Sequence, residues 1–395
     1  MKIKLTFWKF VFLAIMAVGA YGTYVRFFHG LGASTNLSDQ FPWGLWIGFD
    51  VLCGVMLAAG GFTLTAAVHI FNIKKLEPIV RPTVLTAFLG YALVSLALIF
   101  DLGRWYNIWH PLVMRNPHSV MFEVAMCVML YTTVLSLEFS PIVLEHFKMH
   151  RALRIVRGVL VPLVIAGVLL STLHQSSLGT MYLIMPNKLH PFWYSPLLPA
   201  FFFLSAIAVG LAMTIFESSM SAKYFRKQLE LPILQLLGRV LVVVMAVYLI
   251  LRFEDLLHRN MLGQILNPGV HAYERNLFLV EIGLLLAGFV LLCFKRVRMT
   301  AGGLYLSAVL VLLGFVTNRL NVSITGMEAQ AGVRYIPRWT EIGVTAAFVA
   351  AGFAIFGAAA KYLPIFEDEH GHDAVSAAAE NEAETESAMS HAAGD

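Results

Sequence analysis

A chain of 395 residues that is 58% hydrophobic and only 13% charged does not describe a protein surrounded by water, because soluble proteins carry about a quarter of their residues charged. The mean hydropathy of +0.74 and the lack of polar faces on most apolar runs exclude one large soluble core. The net charge of +4 comes from Lys and Arg that punctuate the apolar runs, so no nucleic-acid-binding patch and no nucleic-acid partner are expected.

Runs of ~20 apolar residues suffice to cross ~30 Å of hydrocarbon. Ten are read in chain order: 7–27, 44–71, 83–103, 119–139, 155–174, 197–219, 233–256, 276–294, 301–318 and 341–362. The first follows Met1-Lys2-Ile3-Lys4, lacks a small-residue cleavage site and is too long for a signal-peptide core, so it is kept as a membrane helix. The second is long enough to tilt. Lys and Arg concentrate at the N-terminus and in alternate loops: Lys74, Lys75 and Arg81; then Lys148, Arg151, Arg154 and Arg157; then Lys223, Arg226 and Lys227; then Lys295, Arg296 and Arg298. Positive charge marks the cytoplasmic side. Both termini are therefore expected inside, in a bacterial inner membrane, with the longer odd-numbered loops outside. Residues 1–363 form the expected membrane domain. Residues 364–395, rich in Ala, Glu, Ser and His, read as a disordered acidic cytoplasmic tail. Its Glu369-His370-Gly371-His372-Asp373 stretch reads as solvated tail rather than a metal site. Cys53, Cys127 and Cys293 lie apart in apolar runs, with no Cys-x-x-Cys. No metal, iron–sulfur or c-type haem ligation is expected from them.

Charged groups inside spans are costly and usually functional. Most here gather at the outer ends: Asp50, Asp101, Arg104, Glu123, His174 with Gln175, Arg252, Glu281, Arg319, Arg338 and Glu341. For Glu254, Arg338 and Glu341 a helix-tying role reads as well as a functional one. Asp50, Glu123 and Glu281 sit deeper, where function is favoured. A thinner set, His69, Glu138, Glu217 and Arg239, lies towards the cytoplasm. Glu123 and Glu138 are ~22 Å apart along one helix face at ~1.5 Å per residue, and bracket either a proton path or two structural sites. Trp43 reads as an interfacial anchor. The small residues Gly44, Gly48, Gly54, Gly60 and Gly61 allow close approach of a helix or a flat ligand such as a quinone head group.

Four stretches carry a resemblance to a known family: Phe41-Pro42-Trp43-Gly44-Leu45-Trp46-Ile47-Gly48-Phe49-Asp50, Asp101-Leu102-Gly103-Arg104, Ser119-Val120-Met121-Phe122-Glu123 and His174-Gln175-Ser176-Ser177-Leu178-Gly179, with support from Phe216-Glu217 and Leu251-Arg252-Phe253. In these the chain resembles the NrfD/polysulfide-reductase family of quinone-reactive membrane subunits, from the first span to the tenth. More narrowly it resembles the membrane subunits of hydrogenase-2-type uptake hydrogenases. The resemblance implies an all-α membrane protein with two four-helix bundles, spans 2–5 and 6–9, flanked by spans 1 and 10. It implies an exchangeable quinone or menaquinone, no haem, and a ferredoxin-like iron–sulfur subunit docked on the periplasmic face. The small and large hydrogenase subunits are the first choice of further partners. By position, Asp50, Glu123 and His174 become candidates for proton transfer and quinone hydrogen bonding. Trp43, Gly44, Asp101, Arg104 and Gln175 become candidates for the pocket and its support, with Arg104 holding a neighbouring carboxylate ionised. Glu138, Glu217 and His69 are proton-path candidates.

The expected role is a quinone-reactive anchor with no redox centre of its own. It exchanges electrons between a partner cluster and the quinone pool, and coupled proton translocation is left open. The rival partners are another periplasmic oxidoreductase or a multihaem cytochrome. A di-haem b cytochrome needs histidine pairs at matched depths, whereas His174 and His69 stand near opposite ends. A secondary transporter places its site at the midplane, against the one-sided clustering seen here.

Overall fold

The computed structural model describes residues 6–366 except 186, 227 and 267–268; the tail from 367 lies outside the described residues. Among the described residues ten helices are long and apolar enough to cross a membrane: α1 (Phe7–His29), α2 (Trp46–Ile70), α3 (Lys74–Asp101), α4 (Val120–His146), α5 (Leu160–Leu183), α6 (Leu198–Phe225), α7 (Leu231–His258), α8 (Ala272–Cys293), α9 (Ala301–Ala331) and α10 (Trp339–Tyr362). The chain is a multi-pass integral membrane protein. Helices are forced on such a chain because lipid offers the backbone no hydrogen-bond partners.

Contacts run α2–α3–α4–α5 and back from α5 to α2, then α6–α7–α8–α9 and back from α9 to α6. These two rings meet where α2 packs on α6 and α9, and where α5 packs on α6. α1 pairs with α10 outside the first ring, and α10 rests on α3 and α2.

α2 is the central element: 78% of its most apolar window is buried, against 17% for α1 and for α10. Its glycines explain how it enters so deeply. A Cβ on Gly54 would meet Val94 of α3 at 2.7 Å, and one on Gly61 would meet Ala87 at 2.4 Å. A Cβ on Gly210 of α6 would stand 2.7 Å from the Gly60 nitrogen and 2.8 Å from the Ala59 carbonyl carbon. On α2 these small residues admit other helices. The outer pair is fitted in the same way, with Gly19 of α1 facing Ala347 of α10 and Gly343 of α10 facing Val18.

Most spans run past their expected bounds at one end or both, and three do so through a proline or a polar run. α3 runs through Pro82 and α4 through Pro141. α9 continues past Arg319 to Ala331 through a π-helical stretch at Asn321–Thr325. The polar run Asn318-Arg319-Leu320-Asn321, expected at a span end, is therefore inside a helix. It is tolerated because its side chains find partners there. α2 also carries π-helical stretches, at Trp46–Cys53 and Ala66–Ile70. The first faces the π stretch of α9, with Gly48 against Ser323. At the far end of the chain Ile365 is buried with Val84, Leu85, Phe139 and Ile142, and Arg81 donates to the Pro364 carbonyl.

The connection from α5 to α6 is folded inward. His190 and Trp193 are buried, and the His190 amide donates to the Gly326 carbonyl at 2.8 Å. Burial, and then the nearby His271, pushes the His190 imidazole down to about 4.

Two outcomes follow from this packing. Gly210→Val puts side-chain atoms against backbone, where nothing flexible can yield; overpacking costs about 1–3 kcal/mol or more, and thermal melting in detergent should show a clear drop or loss of the monodisperse protein. His190 is neutral when folded, and an unfolded imidazole titrates near ~6.5. Between these values the unfolded state binds more protons, so stability is full above pH ~6.5 and declines as pH falls towards 4. Melting curves over that window should show the decline, and His190→Asn should flatten it.

Candidate functional site

Most polar groups of the second ring are partnered within it, while Arg252 Nε, Arg319 Nε and the two Glu217 oxygens fall short of hydrogen-bond geometry. Glu281 of α8 is fully buried and accepts from Trp193 Nε1 at 2.8 Å, Asn318 Nδ2 at 2.8 Å and Asn321 Nδ2 at 2.9 Å. Arg319 donates to Ser205 at 2.7 Å and lies 3.5 Å above the Phe202 ring. Asp255 accepts from Ser195 at 2.7 Å and pairs with Arg259 at 2.6 Å, while Arg252 donates to the Phe192 carbonyl at 2.8 Å. These groups lock the α5–α6 connection onto α7, α8 and α9. Glu281, favoured above for function, is a satisfied structural carboxylate here.

The first ring is different. His174 and Gln175, consecutive on α5, are fully buried. Gln175 Nε2 donates to the Val55 carbonyl of α2 at 3.2 Å, but its oxygen has no partner, and neither does either ring nitrogen of His174. Tyr91 of α3 lies 5.8 Å from the His174 ring and packs edge-on against Tyr131 of α4 at 4.6 Å. Ser171 neighbours both tyrosines. The Tyr91 hydroxyl faces Ser171 and Gln175, and the Tyr131 hydroxyl faces Ser171, in contacts that fall short of hydrogen-bond geometry, whereas the His174 nitrogens face no such group. Buried polar atoms are nearly always paired, so a group of them left open within one ring marks a place for water or a polar ligand.

This cluster extends both ways. Towards the face where α4 begins, Ser177 donates to Glu123 at 2.6 Å. Towards the basic face, Glu138 lies over Gly167, 3.0 Å from where its Cβ would be, beside Tyr131. Glu138 lines a cleft of about 210 Å³ with His69, Glu77, Arg81, Glu145 and Arg157. Arg81 and Arg157 both pair with Glu145 across that cleft. Tyr131 was missed by sequence reasoning although a signal existed: Glu123, Cys127, Tyr131 and Glu138 fall on one face of α4 at helical spacing. Tyr91 and Ser171 had no such signal.

Other candidates lie elsewhere. Asp50, in the first π stretch of α2, accepts from Thr345 of α10 at 2.7 Å. Asp101 stands at the end of α3 near Arg26 of α1 and Glu341. Arg26 donates to the Phe100 and Leu102 carbonyls and is itself buried. Glu341 accepts from the Tyr335 hydroxyl and from the amides of Arg338 and Asn36. Gly44 packs against Tyr335, whose hydroxyl also accepts from the Leu45 amide at 2.9 Å. Arg104 is exposed, and Arg26 is the guanidinium that neighbours Asp101. Trp43 is half-buried with its ring 5.9 Å from Tyr182, whose hydroxyl is also without a partner. Glu217 of α6 lies beside Thr86 of α3, apart from the His174 cluster. The candidates thus divide into an open cluster inside the first ring, a junction of α1, α2, α3 and α10, and a cleft on the basic face.

Residues 33–330 match the family described as polysulphide reductase, NrfD. The chain belongs to the NrfD family. It is 33% identical to the probable Ni/Fe-hydrogenase 2 b-type cytochrome subunit of Escherichia coli over 88% of this chain and 91% of that protein. It is 30% identical to the menaquinone reductase integral membrane subunit of Nitratidesulfovibrio vulgaris over 93% of each. A further protein of that organism is 39% identical over 89% of this chain and 92% of its own length.

The contrast between the rings has a measurable form. Glu281→Gln sets an amide against three donors, and leaving buried groups unpaired costs about 1–3 kcal/mol, so its melting temperature should fall. His174→Leu removes two unpartnered nitrogens and should melt at or above the wild-type temperature.

Proposed function

We propose that this chain is the quinone-reactive membrane subunit of a respiratory oxidoreductase. In this reading a partner iron–sulfur subunit, on the face where α4 begins, exchanges electrons with a quinone or menaquinone held by the chain. A periplasmic-facing [NiFe] uptake hydrogenase is the preferred complex. The family membership and the names of the Escherichia coli and Nitratidesulfovibrio relatives support it. The observation that carries it is the set of orphaned polar atoms around His174.

Reducing a quinone takes two electrons and two protons. The electrons come from the partner; the chain supplies the slot, the hydrogen bonds and the protons. His174, Gln175 and Tyr91 offer donors and acceptors to the quinone oxygens or to water beside them. Glu123, held by Ser177 and half-buried, is suited to pass protons at one end of this cluster. Glu138 sits at the other end, where the basic-face cleft reaches it. Tyr131 and Ser171 lie between. This line of groups supports proton movement along the first ring, inward from the basic face. Asp50, Asp101 and Trp43 border the ring at α2 and α3 and shape its mouth. The basic loops then face the cytoplasm of a bacterial inner membrane, by the positive-inside rule.

The hydrogenase relative is named a b-type cytochrome subunit, which raises haem as a second reading. The arrangement favours quinone over haem. The ring beside His174 is Tyr91, and His69 lines the cleft at the opposite end. A pyridine haemochrome spectrum of the purified chain should therefore be blank.

Glu123→Gln keeps size and most hydrogen bonds but cannot release a proton. The complex should assemble and reduce a soluble dye normally while quinone-coupled turnover falls by about 10²-fold or more, the scale of lost acid–base catalysis. Wild-type quinone reduction by this variant would make Glu123 a satisfied structural group.

A further inference from the structure

Arg239 belongs to the cytoplasmic set, and the proposed reaction leaves it without a role. It lies eight residues into α7, ~12 Å along the helix at ~1.5 Å per residue. It is exposed, and its neighbours Val240 and Val243 are 44% and 62% exposed, so this face of α7 meets lipid rather than water. No carboxylate pairs with it among the described residues. An unpaired guanidinium at this depth is costly, and a long side chain relieves the cost by reaching towards phosphate at the interface.

The surroundings say what it reaches for. Arg239 lines a cleft of about 510 Å³ between the start of α3 and the start of α7, where the two rings adjoin on the basic face. Lys74 and Lys75 line the same cleft, are exposed, and form no ion pair among the described residues. Pro78, Ile233 and Leu236 give it apolar walls. Glu77 and Glu230 are there too, so the lining is three cations and two carboxylates. Cations with apolar walls in a cleft between membrane helices suit a lipid phosphate with its acyl chains. The carboxylates add acceptors for hydroxyl donors on the head group.

We propose that this cleft binds a glycerophospholipid with a hydroxyl-bearing head group, phosphatidylglycerol being the simplest. Its phosphodiester lies between Lys74, Lys75 and Arg239, its glycerol hydroxyls donate to Glu77 and Glu230, and its acyl chains run along α7. The lipid fills the joint between the rings and shields Arg239 from hydrocarbon. The inference does not rest on the quinone reading, because none of these residues belongs to the His174 cluster.

The full chain, purified in detergent and depleted of lipid, is titrated with palmitoyl-oleoyl phosphatidylglycerol while thermal melting is followed, and bound lipid is counted by native mass spectrometry. Wild type should gain several degrees and retain a bound lipid. Arg239→Gln should lose at least half of that gain. The double variant Lys74→Gln/Lys75→Gln, which changes only exposed side chains and so keeps the fold, should do the same. Inorganic phosphate at equal concentration should give no shift. Equal responses of wild type and both variants would overturn the proposal, as would an inorganic phosphate shift matching that of the lipid, which would mark a soluble-anion site.

Discussion

The crossing of α2 and α6 at Gly60 and Gly210 sets the spacing of the molecule. At that point backbone meets backbone, and no other residue type fits. In lipid there is little hydrophobic force between helices, so packing at close range has to hold them together. Gly54 and Gly61 then draw α3 in on the adjoining side, against Val94 and Ala87. Once α2 is fixed in this way, the ring formed by α3, α4 and α5 closes around it, and the π stretch carrying Asp50 is brought against α9 and α10.

Two rings of similar helices differ in how fully their polar residues are partnered. Glu281, Arg319, Asp255 and Arg252 each hold several partners and tie a long connection in place. Around His174 the same kinds of atoms stand unpaired. Unpaired buried groups of this kind cost stability. The irregular turns of α2 and α9 fit the same pattern, since π stretches gather at functional positions.

Composition and apolar run length made the ten spans legible, because a helix crossing lipid leaves a run that few other structures need. The ends of the spans were less so. The expected span 83–103 starts after Pro82 and the expected span 119–139 stops before Pro141, yet both prolines lie inside helices. Asn318 and Arg319 read as the end of a span because their partners, Glu281 and Ser205, come from other helices that the local sequence does not reveal. Within the site, Glu123, His174 and Gln175 stood out as polar residues in apolar surroundings. Tyr91 and Tyr131 did not, since a tyrosine in a span is ordinarily only a bulky side chain. Glu281 and His174 looked alike as isolated polar residues in the sequence, and only the count of their partners separates them.

The pairing of α1 with α10 joins the first span synthesised to the last. Gly19 and Gly22 of α1 are shaped to receive Ala347 and Val344, and Thr345, between those two in sequence, supplies the hydrogen bond to Asp50. During synthesis α1 enters the bilayer with a half-finished surface that nothing fills until the ribosome has delivered nearly the whole chain. Asp50 is likewise without its hydroxyl donor for all of that time. A chain truncated before α10 therefore carries an unmet glycine face and an unmet carboxylate.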